Sequence, residues 1–504
     1  MVFMLASHWA RHEYEAIVSP RSTRFPSWFT YKAGVRMLNL LTTLQEKLTP
    51  PDLQALQLGL NFYSSVVVYH LAATGISDAF PPYRLHQRRG GPCLRSEEIN
   101  LNAPTAMHLP YLNRLLRAAT PLHLLDYHEA KDCYTLTPLG ARFQKGGSVH
   151  AMAVWQDGFT MKVFYDGLHT ALTTGDVPFQ AAHNVTLWTF LGQDRARRRL
   201  FDSYMSHLTS RFVGPLADAF ETSMVTDKGA GDPHRATPRG KDLLRYPSVG
   251  KSVCDIGGGS VTGPLLTAIL MRYPGTQGVV FDLPETTYAH DPMPQDDLEG
   301  EDEKGQDGHL TSEADAHQRM KRVTGSFLTE GEMAYKLGGG RGCDVMVMKN
   351  ILHDWGDAEC LAILRNVRDA MLAPGGSADS VGNRRLVVYE SLVGAGPVDD
   401  KPRTLVEDED GNGFPGDGGG GGLMGVPAWI FGGASHKKRN NPLYDKLTGV
   451  MDLTMLAMLG EAKERTEGEF RALFAKAGFR LVQIVPTKTP LAVLLLKLAT
   501  EHEG

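Results

Sequence analysis

In the second half of the chain, short apolar runs of strand length alternate with segments of helical period, an order that commits it to a parallel sheet with crossover helices. The runs are Ser252-Val-Cys-Asp-Ile256, Gly278-Val-Val-Phe-Asp282, Asp344-Val-Met-Val-Met348 and Arg385-Leu-Val-Val-Tyr-Glu390. They read as buried strands, and helices are expected over 263–272 and 357–372. Thr466-Glu-Gly-Glu469 has the form of a capping box opening a helix over 470–477, which Gly478 ends. Two last strands, near 481–485 and 492–496, are spaced to pair as a closing antiparallel hairpin.

The chemistry-bearing residues fall at the ends of these strands. Asp255-Ile-Gly-Gly-Gly259 ends the first, and glycines there let a backbone approach a ligand closely. The next strand ends in Asp282, where a carboxylate can accept both hydroxyls of a ribose. Together they suggest an adenosine-bearing cofactor. A nicotinamide dinucleotide would explain them too, but the turn is not Gly-x-Gly-x-x-Gly, so a cofactor without a pyrophosphate fits better. The bland alternative is a tight turn and a surface acid.

The third strand runs into Lys349-Asn-Ile-Leu-His353-Asp-Trp355, which places His353 in the crevice beyond the strand ends, where open parallel sheets bind ligands. An isolated histidine is more often structural. Here two acids are candidates for the same crevice, Glu390 at the next strand end and Glu464 in Gly460-Glu-Ala-Lys-Glu-Arg465. Methyl transfer from a sulfonium needs an aligned nucleophile and a base, and a histidine supplies the base. A phenol at about 10 and an imidazole at about 6.5 leave the proton transfer uphill by about 5 kcal/mol unless a neighbouring carboxylate stabilises the imidazolium.

The first half is mostly helical. A helical period from residue 50 to about 80, the segment Tyr111-Leu-Asn-Arg-Leu-Leu-Arg117 and a short hairpin over 124–140 follow in winged-helix order. The presumed recognition segment carries only Arg114 and Arg117 among apolar residues. From 155 to about 220 the pattern is helical again, with Met161, Phe201 and Met205 at helical spacing. That spacing is more often core than pocket, and both readings stay open. The domains are therefore an extension over 1–45, a helical unit over 46–220 and a catalytic unit over 221–504, with disordered insertions near 288–316 and 394–441. Within the second insertion, 424–431 is apolar enough to form a lid, the minority reading.

The 504 residues carry a formal charge of -5, so there is no global basic footprint for nucleic acid or an anionic membrane. Nor is there a run of roughly 20 apolar residues to cross a bilayer. The five cysteines show no Cys-x-x-Cys pair and no His at ligand spacing. They are read as reduced, and no metal site is expected. A cytoplasmic protein is expected. The Arg-rich first forty residues weakly resemble a transit peptide, with a plain extension preferred.

Four pieces, Asp255-Ile-Gly-Gly-Gly259, Phe281-Asp-Leu-Pro284, Lys349-Asn-Ile-Leu-His-Asp-Trp355 and Lys463-Glu-Arg-Thr466, carry a resemblance to a known family. The chain resembles the plant caffeic acid and animal hydroxyindole (acetylserotonin) O-methyltransferases and their fungal and bacterial small-molecule relatives, from about residue 50 to 497. The resemblance implies an α/β fold, a Rossmann-like methyltransferase sheet with a C-terminal antiparallel hairpin, preceded by a mostly helical winged-helix dimerisation domain. It implies S-adenosylmethionine as cofactor, held by Asp255, Gly257, Gly259, Asp282, Ser326, Phe327 and Lys349. It makes His353 the proton acceptor bracketed by Glu390 and Glu464, and puts Met161, Phe201, Met205 and Met455 in the acceptor pocket. The partners it implies are a small aromatic hydroxylated substrate and a second copy of the chain. This sequence departs from the family in an apparent Ser260-Val261 insertion, in Ser326 where plant members carry aspartate, and in the long insertion after Glu390. A decarboxylase or hydroxylase on the same fold, a cofactor-binding scaffold and a DNA-binding regulator are the competing readings; retention of His353, Glu390 and Glu464 favours the methyltransferase.

Overall fold

A computed structural model describes residues 28–82, 91–147, 149–227, 252–259, 263–287, 311–338, 343–373, 383–393, 403–404 and 442–499. Ten strands are described: β1 (Leu125–His128), β2 (Cys133–Leu136), β3 (Ser252–Ile256), β4 (Gln277–Asp282), β5 (Met320–Thr324), β6 (Val345–Lys349), β7 (Arg385–Ser391), β8 (Arg403–Thr404), β9 (Phe479–Pro486) and β10 (Leu491–Leu498). The main sheet has the order β5-β4-β3-β6-β7-β10-β9-β8. The pairs from β5 to β7 are parallel, and β10 runs antiparallel to both β7 and β9, which forms the expected closing hairpin.

From β3 the chain moves outward to β4 and β5 and then returns to the other side of β3 as β6 and β7. The strand order therefore reverses between β3 and β6, and a crevice opens outside their carboxyl ends. The central strands are continuous apolar runs because both faces are covered. One face packs Cys254, Ile256, Met346, Met348 and Val388 under the helices Asp357–Leu372 and Glu467–Lys476. The other packs Val253, Val345, Val347 and Val387 against Leu266 and Leu270 of the helix Pro264–Arg272, with Leu216 and Phe220 from the long helix Arg195–Asp227.

In the N-terminal half, the helices Pro51–Ala73, Ser96–Asn102 and Leu109–Ala119 precede the β1–β2 hairpin, in which Leu125 faces Leu136. Leu71, Ile76, Ile99, Leu116 and Leu125 form its core. The helix Trp28–Leu48 begins within the segment read as an extension over 1–45. No helix among the described residues is long and apolar enough to cross a membrane.

Corrections concern segments without apolar periodicity. The acidic insertion expected to reach residue 316 stops sooner: Ser312 caps the helix Glu313–Gln318, and Ala316 is fully buried. Strand β5 was not foreseen because Met-Lys-Arg-Val-Thr alternates charge with partial burial, as an edge strand can. Arg403–Thr404 pairs with β9 inside the second expected insertion. The expected lid at 424–431 and the Ser260-Val261 insertion lie outside the described residues. Four cysteines expected to be reduced are paired, Cys93 with Cys133 and Cys254 with Cys343, at Cα separations of 5.4 and 5.8 Å. Cys360 is a buried free thiol.

Candidate active site

The glycine turn follows β3. Gly257 and Gly259 have φ of 71° and 72°, a left-handed conformation that costs side-chain-bearing residues energy. A Cβ at Gly257 would lie 2.4 Å from Ile351 Cδ1, so a side chain there would also displace the tip of Ile351. A Cβ at Gly259 would meet nothing within 4 Å; the turn faces open space there. The Gly257 N–H donates to the Phe281 carbonyl at 2.8 Å, and the Gly259 N–H donates to Asp282 Oδ2 at 2.8 Å. Asp282, at the end of β4, thus holds the turn. Burial raises its carboxyl, opposed by the N–H groups of Leu283 and Gly259. Beneath the turn, burial first and then Asp282 push Asp255 up to about 7, against the pull of Lys349. Lys349, ending β6, is itself lowered by burial and held up by Asp255, Glu390 and Asp354.

Ser326 and Phe327 follow β5. The Ser326 N–H donates to Glu332 at 3.1 Å, and the Phe327 carbonyl accepts from Asn366 at 2.9 Å. The Phe327 ring meets Trp355 edge-on, with centroids 5.9 Å apart. A buried acid at a strand end, a glycine turn opening onto space and an aromatic ring at the β5 end make a cradle fitting a nucleoside with a positively charged tail.

His353 sits on the 3-10 turn Leu352–Asp354, entered through Asn350 in the left-handed region at φ 53°. His353 is 6 % exposed. Its Nδ1 lies 3.0 Å from Glu464 Oε1 and 3.9 Å from Glu390 Oε2, while Nε2 lies 3.4 Å from Asp354 Oδ1. Glu390 Oε1 accepts the N–H groups of Ile351 and Leu352 at 3.1 and 2.8 Å, fixing the turn to the end of β7. The second oxygens of Glu390 and Glu464 are buried without hydrogen-bond partners among the described residues. Burial alone would depress the imidazole, but the Asp354, Glu390 and Glu464 carboxylates outweigh it and push the ring up to about 10. Burial, with Glu464 adding to it, pushes Glu390 up to about 7 against the pull of His353. The site favours an imidazolium flanked by carboxylates.

His353 and Glu464 are 111 residues apart. The fold therefore assembles a one-imidazole, two-carboxylate set, its ligand atoms within 4.8 Å of one another, that chain spacing does not reveal. In that set Nδ1 is already engaged by Glu464. The loop carrying Glu464 is tied down on both sides. The Glu464 N–H donates to Asp452 at 3.0 Å, and the Thr466 cap donates its N–H to Glu469 at 2.8 Å. That N–H first, with Lys463 assisting, holds Glu469 down to about 2.

Of the four pocket candidates, Phe201 joins an aromatic chain leading to the site. It packs on Trp155 at 5.6 Å and on Trp188 at 6.1 Å, and Trp188 stacks on Trp355 at 6.5 Å and 17°. Met205 lies four residues further along the same helix and is half-buried. Met455 is buried in the helix Pro442–Leu459. Met161 instead lines a separate cavity of about 500 Å³ with Phe62, Tyr69, Lys162 and Tyr165, whose walls include none of His353, Glu390 and Glu464. Sequence reasoning passed over Asp354, Trp355 and Arg465, although each stands inside a motif it quoted, and over Trp188, which no local signal marks.

Known proteins match this arrangement. The O-methyltransferase domain is matched over residues 308–408, which run from before β5 through His353 and Glu390. The chain is 25% identical over 396 residues to the phenazine O-methyltransferase of Lysobacter antibioticus, covering 78% of this chain and 84% of that one. It is 24% identical over 386 residues, 75% of each chain, to a caffeic acid 3-O-methyltransferase of Ammi majus. Its fold is that of human N-acetylserotonin methyltransferase, solved in complex with SAM, with a TM-score of 0.58 and 18% identity over 90% of this chain and 99% of that one. Residues 308–408 thus match the O-methyltransferase domain, and over about three quarters of its length the chain is similar to O-methyltransferases. The glycine turn and Glu464 lie outside the matched stretch, and Glu464 reaches His353 at 3.0 Å.

Proposed function

We propose that the chain transfers a methyl group from S-adenosylmethionine to a hydroxyl, phenolic or hydroxyindole, of a small aromatic molecule, with His353 as general base. The observation that carries this reading is the 3.0 Å contact between His353 Nδ1 and Glu464. A proton held on Nδ1 by that carboxylate leaves Nε2 as the accepting nitrogen. The names of the relatives support the reaction class, and the cradle between Gly257 and Asp282 supports the cofactor. When bound, S-adenosylmethionine supplies an electrophilic methyl group on a sulfonium sulfur. Asp282 would hold the ribose, Gly257 and Gly259 would admit the backbone-close part of the cofactor, and Ser326, Phe327 and Lys349 would line its flank. Trp188, Trp355 and Phe201 would face a planar acceptor.

The methyl group would leave the sulfonium, which becomes a thioether, for the acceptor oxygen, and the hydroxyl proton of that oxygen would pass to His353 Nε2. A neutral imidazole raised to about 10 matches a phenol as proton acceptor, but below that pH the resting ring already carries a proton, which must leave before Nε2 can accept another. Because His353 is raised above its unfolded value of about 6.5, its proton stabilises the fold fully below that value, and this contribution is lost as pH rises through about 10. Beside a bound sulfonium, a like charge, the ring gives up its proton more readily.

The acid limb of kcat/KM should therefore lie well above neutrality. Glu464→Gln should move it to lower pH by about 1 to 3 pH units, because one of the carboxylates that favour the imidazolium is gone. An unmoved limb in a folded Glu464→Gln protein contradicts the dyad.

The active form is proposed to be a homodimer through the N-terminal helices. Leu40, Leu41, Leu56, Leu58, Phe62 and Tyr63 support this, since all are exposed large apolar side chains on Trp28–Leu48 and Pro51–Ala73. Sedimentation at twice the chain mass is expected, and a monomer at working concentration refutes it.

A further inference from the structure

Arg465 is the largest fully buried side chain of the described residues, at 0 % exposure. Burying a guanidinium is unfavourable unless its N–H groups are satisfied, and all of its partners lie on one short stretch. Nη1 donates to the Leu352 carbonyl at 2.7 Å, and Nη2 donates to the Trp355 carbonyl at 2.8 Å. Nε and Nη2 both donate to Asp357 Oδ1, at 3.0 and 2.8 Å. The two carbonyls bracket His353, one residue before it and two after. Two backbone bonds complete the junction: Lys463 N–H donates to the His353 carbonyl at 3.0 Å, and Val393 N–H donates to the Arg465 carbonyl at 3.0 Å. Leu392, two residues past Glu390, bridges directly to Arg465. One side chain thus stands where the three segments bearing His353, Glu390 and Glu464 meet.

We infer that Arg465 is a positioning residue of the reaction: its planar fork clamps the turn carrying His353 against the loop carrying Glu464 and so sets the imidazole–carboxylate distance. The inference rests on the base reading of His353. Lysine keeps the charge but cannot reach two carbonyls and a carboxylate in one plane. The imidazole is faced by Asp354 from its own turn, Glu390 from β7 and Glu464 from the loop. Lys349 acts on two of these acids, Asp354 and Glu390, from β6. Loosening the clamp releases only Glu464.

Arg465→Lys should therefore lower kcat by about 100-fold with cofactor KM within about two-fold. It should also move the acid limb of the pH profile to lower pH, as Glu464→Gln does. A merely structural arginine would lower activity equally at all pH values. A folded, cofactor-binding Arg465→Lys protein with kcat within about three-fold of the parent and an unmoved limb overturns the inference. If that variant does not fold, Asp357→Ala decides: it removes the exposed anchor of the same fork and should shift the limb in the same direction by less. An unmoved limb there overturns the inference equally. Should His353→Ala retain the parent rate, the base reading itself has failed; should it lose activity while these two variants leave the limb in place, only the role of Arg465 has.

Discussion

His353→Ala should bind S-adenosylmethionine within about two-fold of the parent and lose about 10³-fold to 10⁴-fold in kcat toward phenolic acceptors. The ring lies 3.0 Å from Glu464, while the glycine turn is held by Phe281 and Asp282, so removal of the ring spares the cradle of Gly257, Gly259 and Asp282. Some methylation should persist, because holding a nucleophile in line with a sulfonium is by itself a large part of this catalysis. That residual rate should rise with pH as the acceptor ionises unaided. Calorimetry for cofactor binding and single-turnover transfer of a labelled methyl group separate the two effects. A variant that keeps kcat within about ten-fold of the parent would mean that positioning alone drives the reaction.

Gly257→Val should be the most damaging single change to the cofactor cradle. The residue has φ 71°, and the new Cβ would lie 2.4 Å from Ile351 Cδ1 and 3.5 Å from Phe327. Relief of that overlap requires the side chain of Ile351, two residues before His353, to turn aside. A β-branched residue at positive φ adds strain of its own. The expected cost is about 3 kcal/mol of stability, with S-adenosylmethionine affinity weakened by about 100-fold or more. Gly259→Ala is the control: it shares the positive φ but meets nothing within 4 Å, so only about 1 to 2 kcal/mol of backbone strain is expected. Denaturation and equilibrium binding check both, and equal behaviour of the two variants would show that the contact with Ile351 is unimportant.

The four central strands and the hairpin were legible because burial on both faces writes an uninterrupted apolar run into each. Strand β5 was not, because an edge position let Lys321 and Arg322 remain exposed. His353 was legible from its place at a strand end, and Glu390 and Glu464 from theirs, but not the distances among them. Those depend on Arg465, which joins segments more than 100 residues apart. Asp354 adjoins His353 in sequence, yet its effect on the ring depends on a rotamer that puts its oxygen 3.4 Å from Nε2. The cysteine pairs close over 40 and 89 residues, separations at which spacing says nothing of proximity. For Met161 helical spacing left core and pocket both open, and it lines a cavity with Tyr69 and Tyr165.

The central claim is that three carboxylates hold the His353 imidazole far above its ordinary pKa. Nuclear magnetic resonance of protein labelled at histidine nitrogens, with the His353 signal assigned by its loss in His353→Ala, measures this directly. The account predicts an imidazolium through neutral pH that titrates near the value of about 10; a ring that titrates at or below about 6.5 would contradict it.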